Sequence, residues 1–214
     1  MRENCGRNNI LLRPGGTIIT EKAILHCCFA QNAKLADIGC GLGESVRFIK
    51  KTFGYEATGV DKNIEIIKAG ENKSLLCGDA LSLPLRDGEL DGILYECSFS
   101  KMDEPERILS EAHRVLKKEG WIIISDFYAR GTETVFSGVL GRVEKKESFF
   151  AKLQSAGFVL DLFEDHTDQM RFLWGQLIFD HGKEHLCSIL NTDKKTLSNV
   201  KCGYGLFIAK KTSL

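Results

Sequence analysis

Four apolar runs within the first 126 residues lead into an aspartate, at Asp37, Asp61, Asp79 and Asp126, and helix-patterned segments separate them. The runs are Leu35–Ile38, Glu56–Val60, Ser74–Cys77 and Trp121–Ser125, with a further one at Leu90–Tyr95. Short strands alternating with helices build a parallel sheet covered on both faces, so the expected fold class is α/β. In such a sheet ligands bind beyond the carboxyl ends of the strands. Four acids therefore fall on one rim, which is where function is expected.

The helices between the runs follow apolar spacing. Val46 and Ile49 mark the buried side of the first after Gly43, and Asn63–Ala69 turns Ile64, Ile67 and Ala69 partly inward. Glu104–Lys118 carries Ile108, Leu109, Ala112, Val115 and Leu116 on one stripe, with Gly120 ending it. Upstream, the first dozen residues are polar and expected to be poorly ordered, and Arg13-Pro14-Gly15-Gly16 reads as a turn. Thr20 is expected to cap a helix with Glu21 in its first turn and Ile24, Leu25, Cys28 and Phe29 on its apolar face. Downstream, 129–147 reads as a loop or lid, Ser148–Ala156 as a helix and Phe158–Phe163 as a sixth strand. Asp168–Phe179 and Lys183–Leu190 read as helices of an insertion over 164–200, and Tyr204–Lys210 as a last strand. One domain over 1–214 is expected, with 1–33 a turn and cap helix, and the insertion near the substrate side.

Leu35-Ala36-Asp37-Ile38-Gly39-Cys40-Gly41-Leu42-Gly43-Glu44 narrows the ligand. Alternate glycines let a ligand approach the backbone, and the helix that follows presents unpaired N–H groups. A dinucleotide fingerprint wants Gly-x-Gly-x-x-Gly, but its third glycine falls on Glu44 or Val46. A carboxylate there opposes a pyrophosphate. A rim of acids instead suits a donor with a sulfonium, an ammonium and ribose hydroxyls. Asp61 offers two acceptor oxygens to the ribose, and Asp79 can accept from an adenine amino group.

Lys plus Arg and Asp plus Glu balance at 29 each, so no net field draws the chain to nucleic acid or an anionic membrane. The eight cysteines (Cys5, Cys27, Cys28, Cys40, Cys77, Cys97, Cys187, Cys202) include no Cys-x-x-Cys, and no metal site is expected. No signal-peptide pattern or membrane-spanning run appears, which points to a reducing cytoplasm. Oligomeric state is not legible.

The run Asp37–Gly43 resembles the first motif of the class I S-adenosylmethionine-dependent methyltransferases. Asp61, and Gly78-Asp79-Ala80, resemble their ribose and adenine motifs. Leu83–Asp91 and Glu111–Gly120 are similar to segments of the ubiquinone/menaquinone C-methyltransferase-like small-molecule branch. The resemblance covers about residues 34–128 and implies a Rossmann-like fold of seven strands, mostly parallel, the last inserted antiparallel beside the fifth. It implies S-adenosylmethionine as cofactor and a small-molecule acceptor. Asp37, Gly39, Cys40, Gly41 and Gly43 are the expected methionine and ribose cradle, Asp61 the ribose holder and Lys62 a cover for adenine. Asp79 and Ala80 are expected to contact adenine, and Tyr95, Glu96 and Cys97 to face the methionine end and the acceptor. The Asn/Asp-Pro-Pro-aromatic tetrad of enzymes that methylate amino nitrogens of bases or glutamine is replaced by Glu96-Cys97-Ser98-Phe99, which counts against those acceptors.

In-line methyl transfer needs positioning and desolvation, and a base is optional. Glu96 and Cys97 are the candidate catalytic residues. Glu96 either steers an acceptor, holds the donor's amino group or merely caps. Cys97 is either a thiolate for a soft acceptor or an inert buried thiol. His113 reads as structural, and His166, His181 and His185 as surface histidines with one conceivable base among them. Met170, Phe172 and Trp174 either wall an acceptor pocket or pack the insertion. Asp126 and Tyr128 follow the fifth strand, each an acceptor contact or a cap. Two other readings stand beside the transferase: an NAD(P)-dependent oxidoreductase, and a donor-binding protein without activity.

Overall fold

The computed structural model describes residues 13–212. The expected disorder of the first dozen residues, and Cys5, lie outside the described residues. The elements are α1 (Thr17–Cys27), β1 (Lys34–Ile38), α2 (Glu44–Phe53), β2 (Glu56–Asp61), α3 (Ile64–Ala69), β3 (Leu75–Cys77), β4 (Leu90–Glu96), α4 (Pro105–Val115) and β5 (Leu116–Ala129). After β5 come a two-stranded hairpin, β6 (Thr134–Val135) and β7 (Arg142–Val143), then α5 (Lys146–Ser155) and β8 (Phe158–Asp165). The helices α6 (Thr167–His181), α7 (Lys183–Ile189) and α8 (Lys194–Val200) precede the last strand, β9 (Cys202–Lys211).

The main sheet has seven strands in the order β3-β2-β1-β4-β5-β9-β8. The first five are parallel, and β9 runs antiparallel to both neighbours. The expected antiparallel last strand beside the fifth is therefore present, one position in from the edge.

Strand alternation sorts the side chains between two cores. Leu35, Leu94, Ile123 and Leu206 join the layer under α1, α2 and α6–α8. Ala36, Ile93, Tyr95, Ile122 and Phe207 join the layer under α4 and α5. This alternation matters for function. Asp37 and Glu96 are in phase with the first set, whereas Tyr95 belongs to the second.

Three departures from the sequence reading bear on how the site is held. The first helix starts at Thr17 after Gly15 and Gly16, whose φ values of 71° and 49° make the entry turn. Thr20 is not its cap. It lies a turn inside, fully buried, with its hydroxyl donated to Glu96. The helix α4 stops at Val115 because Leu116 turns extended and pairs with Leu90. Lys211 on β9 then donates to the carbonyls of His113 and Leu116 at 2.6 and 2.8 Å, satisfying the helix end. The third difference is α8, which the sequence reading lacked; Asp193 caps it by accepting from Thr196 N.

Candidate functional site

Two adjoining cavities open at the carboxyl ends of β1, β2, β4 and β5, one of about 250 Å³ and one of about 360 Å³. Gly39 and Lys101 line both.

The larger cavity is framed by Val60, Asp61, Lys62, Gly78, Asp79 and Ala80, with Ile38, Leu81, Met102 and Ile108 as apolar walls. Asp61 Oδ2 accepts from Gly41 N at 3.0 Å and Oδ1 from Asn63 N at 2.9 Å. One carboxylate thus ties the glycine turn to the start of α3 and keeps lone pairs for a ligand. Asp79 Oδ1 accepts from Leu81 N at 2.9 Å, bending the chain so that Ala80 and Leu81 line the wall. The loop beyond is held by Arg114, which donates to the carbonyls of Leu83 and Leu85 and to Asp87. Glu111 accepts from Leu83 N and from Arg114, so the segments 83–91 and 111–120 function as one clamp.

The glycine turn is shaped by close approach. Gly39 has φ 76°, and a Cβ there would stand 2.6 Å from Cβ of Ser98, whose hydroxyl donates to Ile38 O at 2.7 Å. Gly41 and Gly43 also have positive φ, at 52° and 75°. Cys40 lines the smaller cavity, but its thiol lies against Gly59 on β2: a Cβ on Gly59 would meet Sγ at 2.6 Å. Burial pushes that thiol well up, so it is neutral.

The smaller cavity is lined by Arg13, Asp37, Gly41, Glu44, Ser45, Arg47, Glu96, Cys97, Phe127 and Val139 among others. At its base lies a charged network. Arg13 Nη2 donates to Glu96 Oε2 at 2.7 Å, Arg13 Nη1 to Ser45 Oγ at 2.9 Å, and Thr20 Oγ1 to Glu96 Oε1 at 2.7 Å. Ser45 Oγ also donates to Glu96, and Arg13 Nη2 to Thr20. The Arg13 and Glu96 side chains are only 12% and 4% exposed. Asp37 sits beside this network, fully buried, and desolvation together with Glu96 raises its pKa to about 8, although Arg13 and Ser45 pull the other way.

These observations relocate several expected site residues. Glu96 is in the cavity, where it accepts from Arg13, Thr20 and Ser45 and so ties the segment before α1, α1 and α2 to the end of β4. Cys97 is in the cavity too, at φ 51°, with Sγ 3.0 Å from Tyr204 Oη. Burial, with Asp126 adding, pushes its thiol up to about 12, which removes the thiolate reading. Tyr95 is not at the site: its ring is fully buried on the other side of the sheet, edge-on to Phe99 at 5.7 Å. Asp126 accepts from the backbone and hydroxyl of Ser100 and from Phe127 N, pinning the turn after β4, and Tyr128 packs against Phe163 and Phe207. Trp174 on α6 stacks on the cavity wall residue Phe127 at 6.1 Å, Met170 is buried, and Phe172 is 77% exposed. Among the described residues no histidine lines either cavity. His166 pairs with Glu164, His113 packs on Phe158, and His181 lies against His185.

Arg13, Ser45 and Lys101 were missed by sequence reasoning. The partners in the Arg13–Glu96 bond are 83 positions apart, and a turn-like Arg-Pro-Gly-Gly carries no mark of a buried cation. Ser45 was legible only as an ordinary residue of the helix after the glycines.

A family model described as a methyltransferase domain matches residues 36–124. A demethylmenaquinone methyltransferase of Thermotoga maritima is 29% identical over 145 residues, covering 65% of this chain and 60% of its own length. Phosphoethanolamine N-methyltransferase 3 of Arabidopsis thaliana is 24% identical over 226 residues, covering 92% of this chain and 46% of its own. The chain thus spans about half to 60% of the length of these relatives. Among solved structures, geranyl diphosphate C-methyltransferase from Streptomyces coelicolor A3(2) superposes with a TM-score of 0.76 at 16% identity, covering 90% of this chain and 74% of that one. The shared feature is the fold.

Proposed function

We propose that this chain is a class I S-adenosylmethionine-dependent methyltransferase of the quinone C-methyltransferase-like branch and that it transfers a methyl group to a small-molecule acceptor, a reading supported by the methyltransferase-domain match and the relatives above. The observation that carries the reading is the pair of joined cavities, one edged by Asp61 and Asp79 and the other by Asp37 and the glycine turn. The residues fit the donor. Gly39 has no room for a side chain, and Asp61 holds the glycine turn with one oxygen and the start of α3 with the other, each oxygen keeping a lone pair for a ligand in the larger cavity it lines.

When bound, the donor supplies an electrophilic methyl carbon on a sulfonium. The chain's own part is positioning. Asp61 would hold the ribose hydroxyls, with Lys62, Asp79 and Ala80 around the adenine and Gly39, Cys40, Gly41 and Gly43 along the methionine. Asp37 is the acceptor for the ammonium. Arg13, fixed by Glu96, Thr20 and Ser45, has further N–H groups for the carboxylate. Seven described cysteines are thiols, which fits a reducing cytoplasm.

Asp61→Ala is expected to weaken donor binding by about 1.5–3 kcal/mol, the cost of losing a hydrogen bond to a charged group, or roughly 10–150-fold. Titration calorimetry with S-adenosylhomocysteine measures it; unchanged affinity with the fold intact places the ribose elsewhere.

Asp37 makes donor binding pH-dependent. The raised pKa means the free protein holds a proton there below about 8, facing Glu96, Arg13, Ser45 and Asp61. That proton favours the fold: its contribution is complete below the unfolded carboxyl value and is lost as pH rises through about 8. A cationic ammonium needs the anion instead. Affinity for S-adenosylhomocysteine is therefore expected to rise between pH 6 and pH 8 (~two units spanning the shift), with net proton release. Calorimetry in buffers of different ionisation enthalpy reads the proton directly; no release at neutral pH means that Asp37 is already ionised.

A further inference from the structure

Part of the larger cavity's wall is a turn rather than a strand or a long helix. Ser98, Lys101, Met102 and Asp103 line that cavity, and between them the chain makes a single turn of 3₁₀-helix, Phe99–Lys101. So short a piece satisfies few of its own carbonyls, and its shape has to be fixed from outside.

Two anchors do this. Asp126 on β5 accepts from the backbone and hydroxyl of Ser100. The other anchor is Arg142 on β7, 40 positions beyond Met102. Its Nη1 donates to Met102 O at 2.9 Å, and its Nη2 reaches Phe99 O at a longer 3.5 Å. The guanidinium carbon lies 5.6 Å from the Phe99 ring centroid. Nε stands 3.2 Å from Glu144 Oε2, and Lys152 pairs with the other Glu144 oxygen at 2.9 Å. A rigid fork that spans both ends of a turn is something a guanidinium supplies and an ammonium does not. The neighbouring Gly141 packs so closely on Ser100 O that it has no room for a side chain.

Arg142 itself lines neither cavity. Met102 carries its effect to a ligand. The Met102 carbonyl takes the Arg142 bond, and the Met102 side chain walls the larger cavity, with Cε 3.2 Å from where a Cβ on Gly39 would stand. A thioether is a polarizable surface suited to the flat face of an aromatic base.

We infer that Arg142 is a positioning residue for the donor's adenosine half: by gripping the carbonyls of Phe99 and Met102 it sets the Met102 wall of the larger cavity. The inference rests on the donor reading above. Without that grip the ligand has to order the wall as it binds, and affinity falls. The loss belongs to the nucleoside, so it is the same whether or not the ligand carries an amino-acid end.

The test uses Arg142→Gln, which removes the charge and the fork. Of the three methionines, Met102 reports on the wall and Met170, buried on α6, serves as an internal reference. With methyl-¹³C methionine in the ligand-free protein, the substitution is expected to shift or broaden the Met102 signal and leave Met170 in place. Calorimetry with S-adenosylhomocysteine and with 5′-methylthioadenosine, which lacks the amino-acid end, is expected to show both weakened about tenfold, the low end for losing a hydrogen bond to a charged group. Arg142→Lys, which keeps a charge for one carbonyl only, is expected to fall between the two proteins and covers the case in which the glutamine variant does not fold. The ligand-free Met102 signal reads the grip of Arg142 whether or not a donor binds, and failure of both probes to bind the unsubstituted protein counts against the donor reading alone. An unmoved Met102 signal, an unchanged affinity for 5′-methylthioadenosine, or a loss confined to S-adenosylhomocysteine overturns the inference.

Discussion

Replacing Arg13 with alanine is expected to lower the unfolding free energy by about 3–5 kcal/mol, because breaking a buried ion pair from one side strands the other charge. The stranded group is Glu96, whose side chain is 4% exposed and which would keep, among the described residues, Thr20 and Ser45 as donors. Adding Glu96→Gln to the Arg13→Ala variant is expected to recover much of the loss, since the amide has no charge to desolvate. Urea denaturation of the two single variants and the double variant gives the coupling directly. A loss below about 1 kcal/mol for Arg13→Ala is the size of a solvent-exposed pair, and would mean that the segment before α1 does not close over the site in solution.

The second large effect is at Gly39. Alanine there meets two costs: roughly 1–2 kcal/mol for a side chain at left-handed φ, and about 1–3 kcal/mol for overpacking against a neighbour with nowhere to go. The neighbour is Cβ of Ser98, fixed to its own backbone and held by Ile38 O. Gly54→Ala separates the two, because Gly54 has φ 71° with nothing within 4 Å of the added carbon. Gly54→Ala is expected to show the backbone cost alone, and Gly39→Ala both costs plus at least tenfold weaker donor binding. Equal losses in the two variants would mean that the turn yields easily, and that the close approach at Gly39 is not what shapes the cradle.

These two sites mark what local sequence pattern can and cannot reveal. The glycine turn was legible because its requirements are local: a strand, positive φ at successive glycines and a helix start, all within ten residues. The acids at Asp37, Asp61 and Asp79 were legible for the same reason, since each follows its own strand. The order of the seven strands was carried by family resemblance, and the sheet agrees with it. Arg13 was hidden because its meaning depends on Glu96 and Ser45, brought to it by the sheet rather than by the chain. Glu96 lines the smaller cavity, but the sequence offered it as a candidate to steer an acceptor, hold the donor's amino group or cap, with no sign that Arg13, Thr20 and Ser45 all donate to it. Tyr95 failed by one position of strand phase: its neighbour faces the cavity, and Tyr95 packs among the buried side chains beneath α4. Thr20 has a cap's chemistry, but its oxygen serves a carboxylate on β4 instead of the helix end.

The central claim is that the paired cavities hold a sulfonium-type methyl donor rather than a dinucleotide. Glu44 bears on it most simply, standing in the first turn of α2 where a pyrophosphate would need bare N–H groups. Parallel calorimetric titrations with S-adenosylhomocysteine and with NADH test it most directly. The account predicts saturable, one-to-one binding of S-adenosylhomocysteine and none of NADH at the same concentrations. Binding of NADH with no response to S-adenosylhomocysteine would contradict it.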